Sequence, residues 1–261
     1  VNDRALLTAM RLSDSMLPVG TYTASYGIEQ YLNEDEIETA DELGDLIEGY
    51  LRGVIGPAEI VALGHAHRSA AAGDLDEVLA ADERLGAATL PAEFRDSSRK
   101  AGSKLLELLA ETDDGTAGSA GRDAAAGDGV AGVAAVGGGT IGDIAVEGVL
   151  AEYAAACEAG RADGHYPVAL GVVCQRAGLD ARDAALVSAY GSVTALLAAA
   201  QRLGRFGHTA IQAQLSRLFP AIETVCDRYH DAAIDAMYSF APLADAMGMR
   251  HERADRRLFM S

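Results

Sequence analysis

Between residues 39 and 55 the apolar side chains Leu43, Leu46, Ile47, Tyr50, Leu51 and Val54 recur at steps of three and four, so this stretch must bury one stripe of a helix. Thr39 followed by Glu42 supplies a capping box at its start. Gly56 and Pro57 are expected to end that helix and open another running to about Ala72, because proline lacks a donor and crowds the preceding turn. Asp74 with Glu77 caps a third helix. Pro91 opens a fourth, with Phe94, Ser98, Ala101, Leu105 and Leu108 on its inward face. Later helices are predicted over 144–159, 166–177, 180–203, 208–218 and 221–236, with Pro220 and Pro242 as boundaries. No stretch sustains period-two alternation. The predicted fold class is therefore all-α: one helical bundle-like domain of about ten helices spanning residues 1–261.

The texture changes over 113–143, where Gly, Ala, Ser and Asp dominate and Gly137, Gly138 and Gly139 stand in a row. Glycine loses the most backbone freedom on folding, and this segment offers little apolar surface in return, so a flexible insertion is expected. Its glycines do not read as a phosphate cradle, since no Lys-Ser or Lys-Thr follows and no strand precedes. Residues 184–200 carry no charge and approach the length of a membrane span, but polar side chains interrupt them and charges crowd both ends. A buried core helix is the expectation.

With 39 acidic and 21 basic residues the net charge is −18, and Lys100 and Lys104 are the only lysines. Nucleic acid is excluded as a partner for want of a basic stripe. An acidic, lysine-poor surface suits a halophilic protein, since in molar salt the Debye length falls to about 3 Å. Aromatic residues make up only 5% of the chain, so the core must be Ala, Leu, Val and Ile packed closely between helices. Cys157, Cys174 and Cys226 form no CxxC pair, which argues against a disulfide framework or structural zinc. No secretory signal stands at the start, so a cytoplasmic protein with no membrane partner is expected.

Candidate chemistry is sparse. His65 and His67 lie two apart, a spacing that points them away from each other on a helix, and His165, His208, His230 and His251 are isolated. No nucleophile elbow, P-loop or HExxH pattern occurs. The stretch from Asp14 to Glu29 is different: Pro18 and Gly20 demand a turn after a short amphipathic helix containing Leu6, Leu7, Met10 and Arg11, and Ser25 is placed to cap the next helix. Its density of Tyr, Ser and Met is typical of a surface covered by another protein. The end of the chain concentrates positive charge and closes on Leu258, Phe259 and Met260, apolar residues that need a surface to cover them, whether the chain's own core or a partner.

These stretches resemble the UreF family of urease accessory proteins. Its opening pattern is matched by Asp14, Ser15, Leu17, Pro18, Gly20, Tyr22, Ser25, Gly27 and Glu29, with Ile28 for the usual Leu. Pro91, Glu93, Arg95 and Ser98 resemble its Pro-x-Glu-x-Arg-x-x-Ser segment, and His165, Pro167 and Val168 its His-x-Pro-Val motif. Arg202, Leu203, Gly207, Thr209 and Gln212 resemble a further helix junction, and His251-Glu252 with the run from Arg257 to Ser261 its closing signature. The resemblance implies an all-α homodimer with no catalysis and no cofactor. It further implies binding to the accessory protein UreD (also called UreH) and the GTPase UreG, and nickel delivery into apo-urease. On that reading the partner interface comprises Asp14, Pro18, Gly20, Tyr22, Ser25, Gly27, Glu29, Arg202, Gln212, His251, Glu252, Arg257, Leu258 and Phe259. Two alternatives stay open here: a direct nickel chaperone using His65, His67 and His251, and a helical hydrolase with dispersed acids.

Overall fold

A computed structural model of the chain describes residues 3–14, 17–20, 26–113 and 144–253. The glycine-rich insertion therefore lies outside the described residues, apart from its first position. Among the described residues every regular element is helical: α1 (Asp3–Leu12), α2 (Ile28–Asn33), α3 (Ala40–Tyr50), a π-helical stretch (Leu51–Ile60), α4 (Val61–Ala72), α5 (Leu75–Ala88), α6 (Ala92–Asp113), α7 (Val149–Glu158), α8 (Tyr166–Arg176), α9 (Ala181–Arg202), α10 (His208–Tyr229), a 3-10 turn (Ile234–Ala236) and α11 (Pro242–His251).

The starts obey capping chemistry. The Thr39 hydroxyl accepts from the Glu42 N–H while the Glu42 carboxylate accepts from the Thr39 N–H, and the Asp74 and Asp180 carboxylates accept from the Glu77 and Asp183 N–H groups. Side chains then sort into two cores. Ala62, Leu63 and Ala66 of α4 pack with α5, α6, α7 and α8, while Ile47, Leu51 and Ile60 pack with α2, α10 and α11. α9 belongs to both, giving Ala184 and Val187 to the first and Ala189, Val193 and Leu196 to the second, so the two cores form one body. Its length and composition would suit a membrane span, yet 56% of its apolar window is buried, which makes it the shared core helix. Close approach depends on glycine: a Cβ on Gly171 of α8 would lie 2.4 Å from the Leu63 carbonyl oxygen of α4.

Four expected boundaries are corrected. Gly56 and Pro57 do not break the chain's course, because the backbone widens into a π-helix that runs straight from α3 into α4. Pro57 has no N–H to give this stretch, and the Gly53 carbonyl on the same stretch accepts from the Phe240 N–H at 2.8 Å. Nor does Pro220 end a helix: α10 passes through it, and the segment expected over 221–236 stops at Tyr229 before the short 3-10 turn. The helix expected from residue 144 begins at Val149.

Candidate partner-binding surface

Three stretches distant in sequence meet where α2, α6 and α11 come together. Gly27, at φ +78° before α2, lets the chain pass close to α11, since a Cβ there would lie 3.3 Å from the Gly248 nitrogen. Gly248 in turn faces the Phe94 ring, which packs on Tyr26 with ring centres 5.2 Å apart. At the centre sits His251, 1% exposed, with Nδ1 2.7 Å from a Glu93 carboxylate oxygen and Nε2 3.1 Å from one of buried Glu29. Both ring nitrogens thus face carboxylate oxygens, so one side chain ties α11 to α2 and α6 at once. The Glu252 carboxylate accepts from the Glu93 N–H at 3.2 Å, tying the end of α11 to the start of α6.

A second junction anchors α8. The Asp82 carboxylate is 1% exposed and accepts from the N–H groups of Asp163, Gly164 and His165 at 2.7, 2.9 and 2.8 Å and from the Tyr153 hydroxyl at 3.1 Å. His165 precedes α8 in extended backbone, buried against Gly86, and burial lowers its imidazole's affinity for a proton. The Ser98 hydroxyl accepts from the Tyr166 N–H at 3.1 Å, and Gly102 leaves room for the Gly164 carbonyl, which a Cβ would meet at 2.0 Å. The Pro-x-Glu-x-Arg-x-x-Ser and His-x-Pro-Val segments are thus neighbours.

Between this junction and α1 lies a small cavity of about 50 Å³, lined by Leu12, Ser13 and Asp14 on one side and by Tyr26, Glu59 and Tyr166 on another. Burial pushes the carboxyl of partly covered Glu59 from its ordinary 4.5 up to about 7, and raises the Tyr26 and Tyr166 hydroxyls as well. Outside the cavity the surface turns apolar. α1 buries Ala5 and Leu12 but leaves Leu6, Leu7 and Met10 at 49, 66 and 60% exposure. Met10 borders a groove of about 280 Å³ whose other walls are Tyr190 of α9 and Phe219 and Ile222 of α10. Tyr190 and Phe219 face each other with ring centres 6.5 Å apart.

The structure divides the expected interface residues. Asp14, Pro18 and Gly20 are exposed just after α1, with Gly20 at φ +84°, and Gln212 is exposed on α10 two turns before Phe219. Arg202 is half-buried at the end of α9 and Glu252 half-buried at the end of α11. Gly27, Glu29 and His251 are buried within this chain, so their contribution to any interface is to hold α2 and α11 in place. Tyr22, Ser25, Arg257, Leu258 and Phe259 lie outside the described residues. The position before α2 expected to be capped from Ser25 is occupied by Gly27, with no side-chain cap. Sequence reasoning missed Asp82 and Glu59. Asp82 had a signal: it interrupts the apolar stripe of Val78, Ala81 and Leu85 on α5, where an acid must have partners waiting.

The UreF family model matches residues 37–219. The chain belongs to the UreF family. Its UreF relatives align over nearly their whole length. The urease accessory protein UreF of Trichodesmium erythraeum is 30% identical over 254 residues, 97% of this chain and 95% of that one. Those of Arthrobacter sp. and Photorhabdus laumondii are each 26% identical, covering 98% and 99% of this chain and 96% and 99% of their own. As a member of this UreF urease accessory family the chain is a non-catalytic maturation factor, which sets aside the hydrolase alternative.

Proposed function

We propose that the chain is a cytoplasmic scaffold of urease maturation, holding the accessory protein UreD (UreH) and the GTPase UreG together so that nickel is delivered into apo-urease, and that it works as a homodimer. The observation that carries this reading is the apolar ridge of α1 beside the groove of Tyr190 and Phe219, followed along the chain by exposed Asp14 and Pro18 of the opening motif. Exposed Leu and Met side chains at one helical face are the mark of a surface meant to be covered, and covering each contributes up to about 1.5–3 kcal/mol. The basic, apolar chain end from Arg257 belongs to the same proposed interface on grounds of composition.

The test is co-purification of the full chain with UreD and UreG. Leu7→Asp with Met10→Asp, and separately removal of residues 257–261, are expected to abolish recovery of at least one partner while leaving helicity unchanged by circular dichroism. Full recovery with both variants overturns the proposal.

The nickel-chaperone reading would need its three histidines to converge. They are engaged separately: His65 Nε2 lies 2.9 Å from a Glu77 carboxylate oxygen, His67 Nε2 lies 2.9 Å from the Leu179 carbonyl oxygen, and His251 is enclosed by Glu29 and Glu93. Calorimetry of the isolated chain with Ni²⁺ separates the readings, the scaffold predicting no tight stoichiometric site. The acidic composition supports operation in molar salt. Helicity is then expected to fall as salt is removed and carboxylates repel unscreened, and full helicity at low ionic strength would refute that part.

A further inference from the structure

The cavity of about 50 Å³ beside α1 is walled by polar groups that the described residues leave unmet. Every polar side chain on its wall ends in oxygen, among them Glu59 of the π-helical stretch, Tyr26, Tyr166 of α8, and Ser188 and Ser192 of α9, and no described arginine, lysine or histidine lines it. Glu59 stands between buried Ala58 and Ile60, and its carboxylate makes no hydrogen bond or ion pair to a described residue. Burial alone raises it, with no charge or donor acting against that rise. The hydroxyls of Tyr26, Tyr166 and Ser188 likewise meet no described partner, although Ser188 is 3% exposed. Glu59, Tyr26 and Ser192 also border a narrower void of about 10 Å³ beside Tyr50, so the carboxylate faces open space on two sides.

A covered carboxylate without donors either keeps its proton or takes a cation. The described wall supplies no positive charge, while −18 over the whole chain gathers cations from solution. Oxygen-only walls suit a hard ion, and the charges on this one select its valence. Glu59 brings one negative charge, and the other carboxylate on the wall, Asp14, is exposed. Ca²⁺ asks for several charged ligands, Mg²⁺ keeps a shell of waters too large for this space, and nickel favours imidazole. The volume admits one ion about the size of a water molecule together with about one or two waters.

We propose that this cavity binds a monovalent cation, an alkali ion or ammonium, held by the Glu59 carboxylate and by the hydroxyl oxygens of Tyr26, Tyr166 and Ser188. The bound ion fastens the residue before α2, the π-helical stretch, α8 and α9 to one point, and the ionised carboxylate no longer weighs against folding. The site is independent of the scaffold reading, which concerns the outer face of α1.

The full chain is unfolded by heat at pH 8 in nitrate salts of fixed total concentration while K⁺ replaces tetramethylammonium, an ion too large for the cavity. The midpoint should rise by about 3–5 °C for each tenfold increase in K⁺ once the site fills. Glu59→Gln keeps the shape and loses the charge, and should flatten that rise to less than about 1 °C. Parallel series with Na⁺ and NH₄⁺ name the occupant as the ion that acts at the lowest concentration. Thallium-205 resonance should show one bound Tl⁺ per chain, displaced by K⁺ and absent from Glu59→Gln. A midpoint that ignores which cation is present, an equal K⁺ response in Glu59→Gln, or no bound Tl⁺ overturns the proposal and leaves water beside a protonated Glu59. None of these outcomes bears on partner capture by the α1 ridge, so the two readings fail separately.

Discussion

The junction of α2, α6 and α11 and the outer face of α1 treat their side chains in opposite ways. At the junction, charged groups are buried or half-buried and each meets a partner: His251 with Glu29 and Glu93, Glu252 with the Glu93 N–H. On α1, apolar groups that would be at home in a core are left in water. The difference shows that the family-like residues of this chain fall into two kinds, those that build the body and those that face outward. A substitution should reveal which kind it touches by whether it changes stability or binding.

The largest effect is expected from His251→Ala. Removing the ring leaves two carboxylates buried together, and breaking a buried charged cluster typically costs about 3–5 kcal/mol. Denaturant unfolding of the full chain measures it, and a loss below 1 kcal/mol would erase the contrast between the two regions. Gly102→Ala comes next, because its methyl would collide with the Gly164 backbone carbonyl. Overpacking of this kind costs roughly 1–3 kcal/mol and should shift the same unfolding curve.

Glu59 sharpens the comparison from the cavity between the regions. Its folded pKa is raised, so ionisation opposes folding: the cost is absent below 4.5, grows through the window up to about 7 and is complete above it. Glu59→Gln should therefore stabilise the chain at pH 8 by about 1–3 kcal/mol, a range reduced for the group's partial exposure, and the gain should vanish at pH 4. A gain that is the same at both pH values would contradict the buried-carboxyl reading. Smallest is Leu7→Ser on the ridge, expected to move stability by no more than about 0.5 kcal/mol while weakening partner capture. If instead it unfolds the chain, α1 is part of the body and the comparison breaks.

Much of this was legible from residue order. The helices, their capping acids and the closely packed aliphatic core follow from period, caps and composition, and these survive in Thr39, Asp74 and Leu43. What escaped reading depended on partners far along the chain. Pro57 looked like a break because it lacks a donor, whereas the widened π-helical backbone carries the chain through it and the neighbouring Gly53 carbonyl accepts from the Phe240 N–H, a partner no local rule sees. The resemblance assigns Glu29 and His251 to the partner interface, and only the fold shows them buried against each other across more than two hundred residues. Asp82 is satisfied by backbone donors from the turn before α8, which again lie far from it in sequence.

The acceptors at Gly53 and Pro57 have one more consequence. The donors that meet them, at Phe240 and Tyr238, leave the ribosome more than 180 residues later. Those two long-range bonds therefore cannot form in a nascent chain halted before residue 238. Closure of this segment over the π-helical stretch thus comes only after every intervening helix has been synthesised.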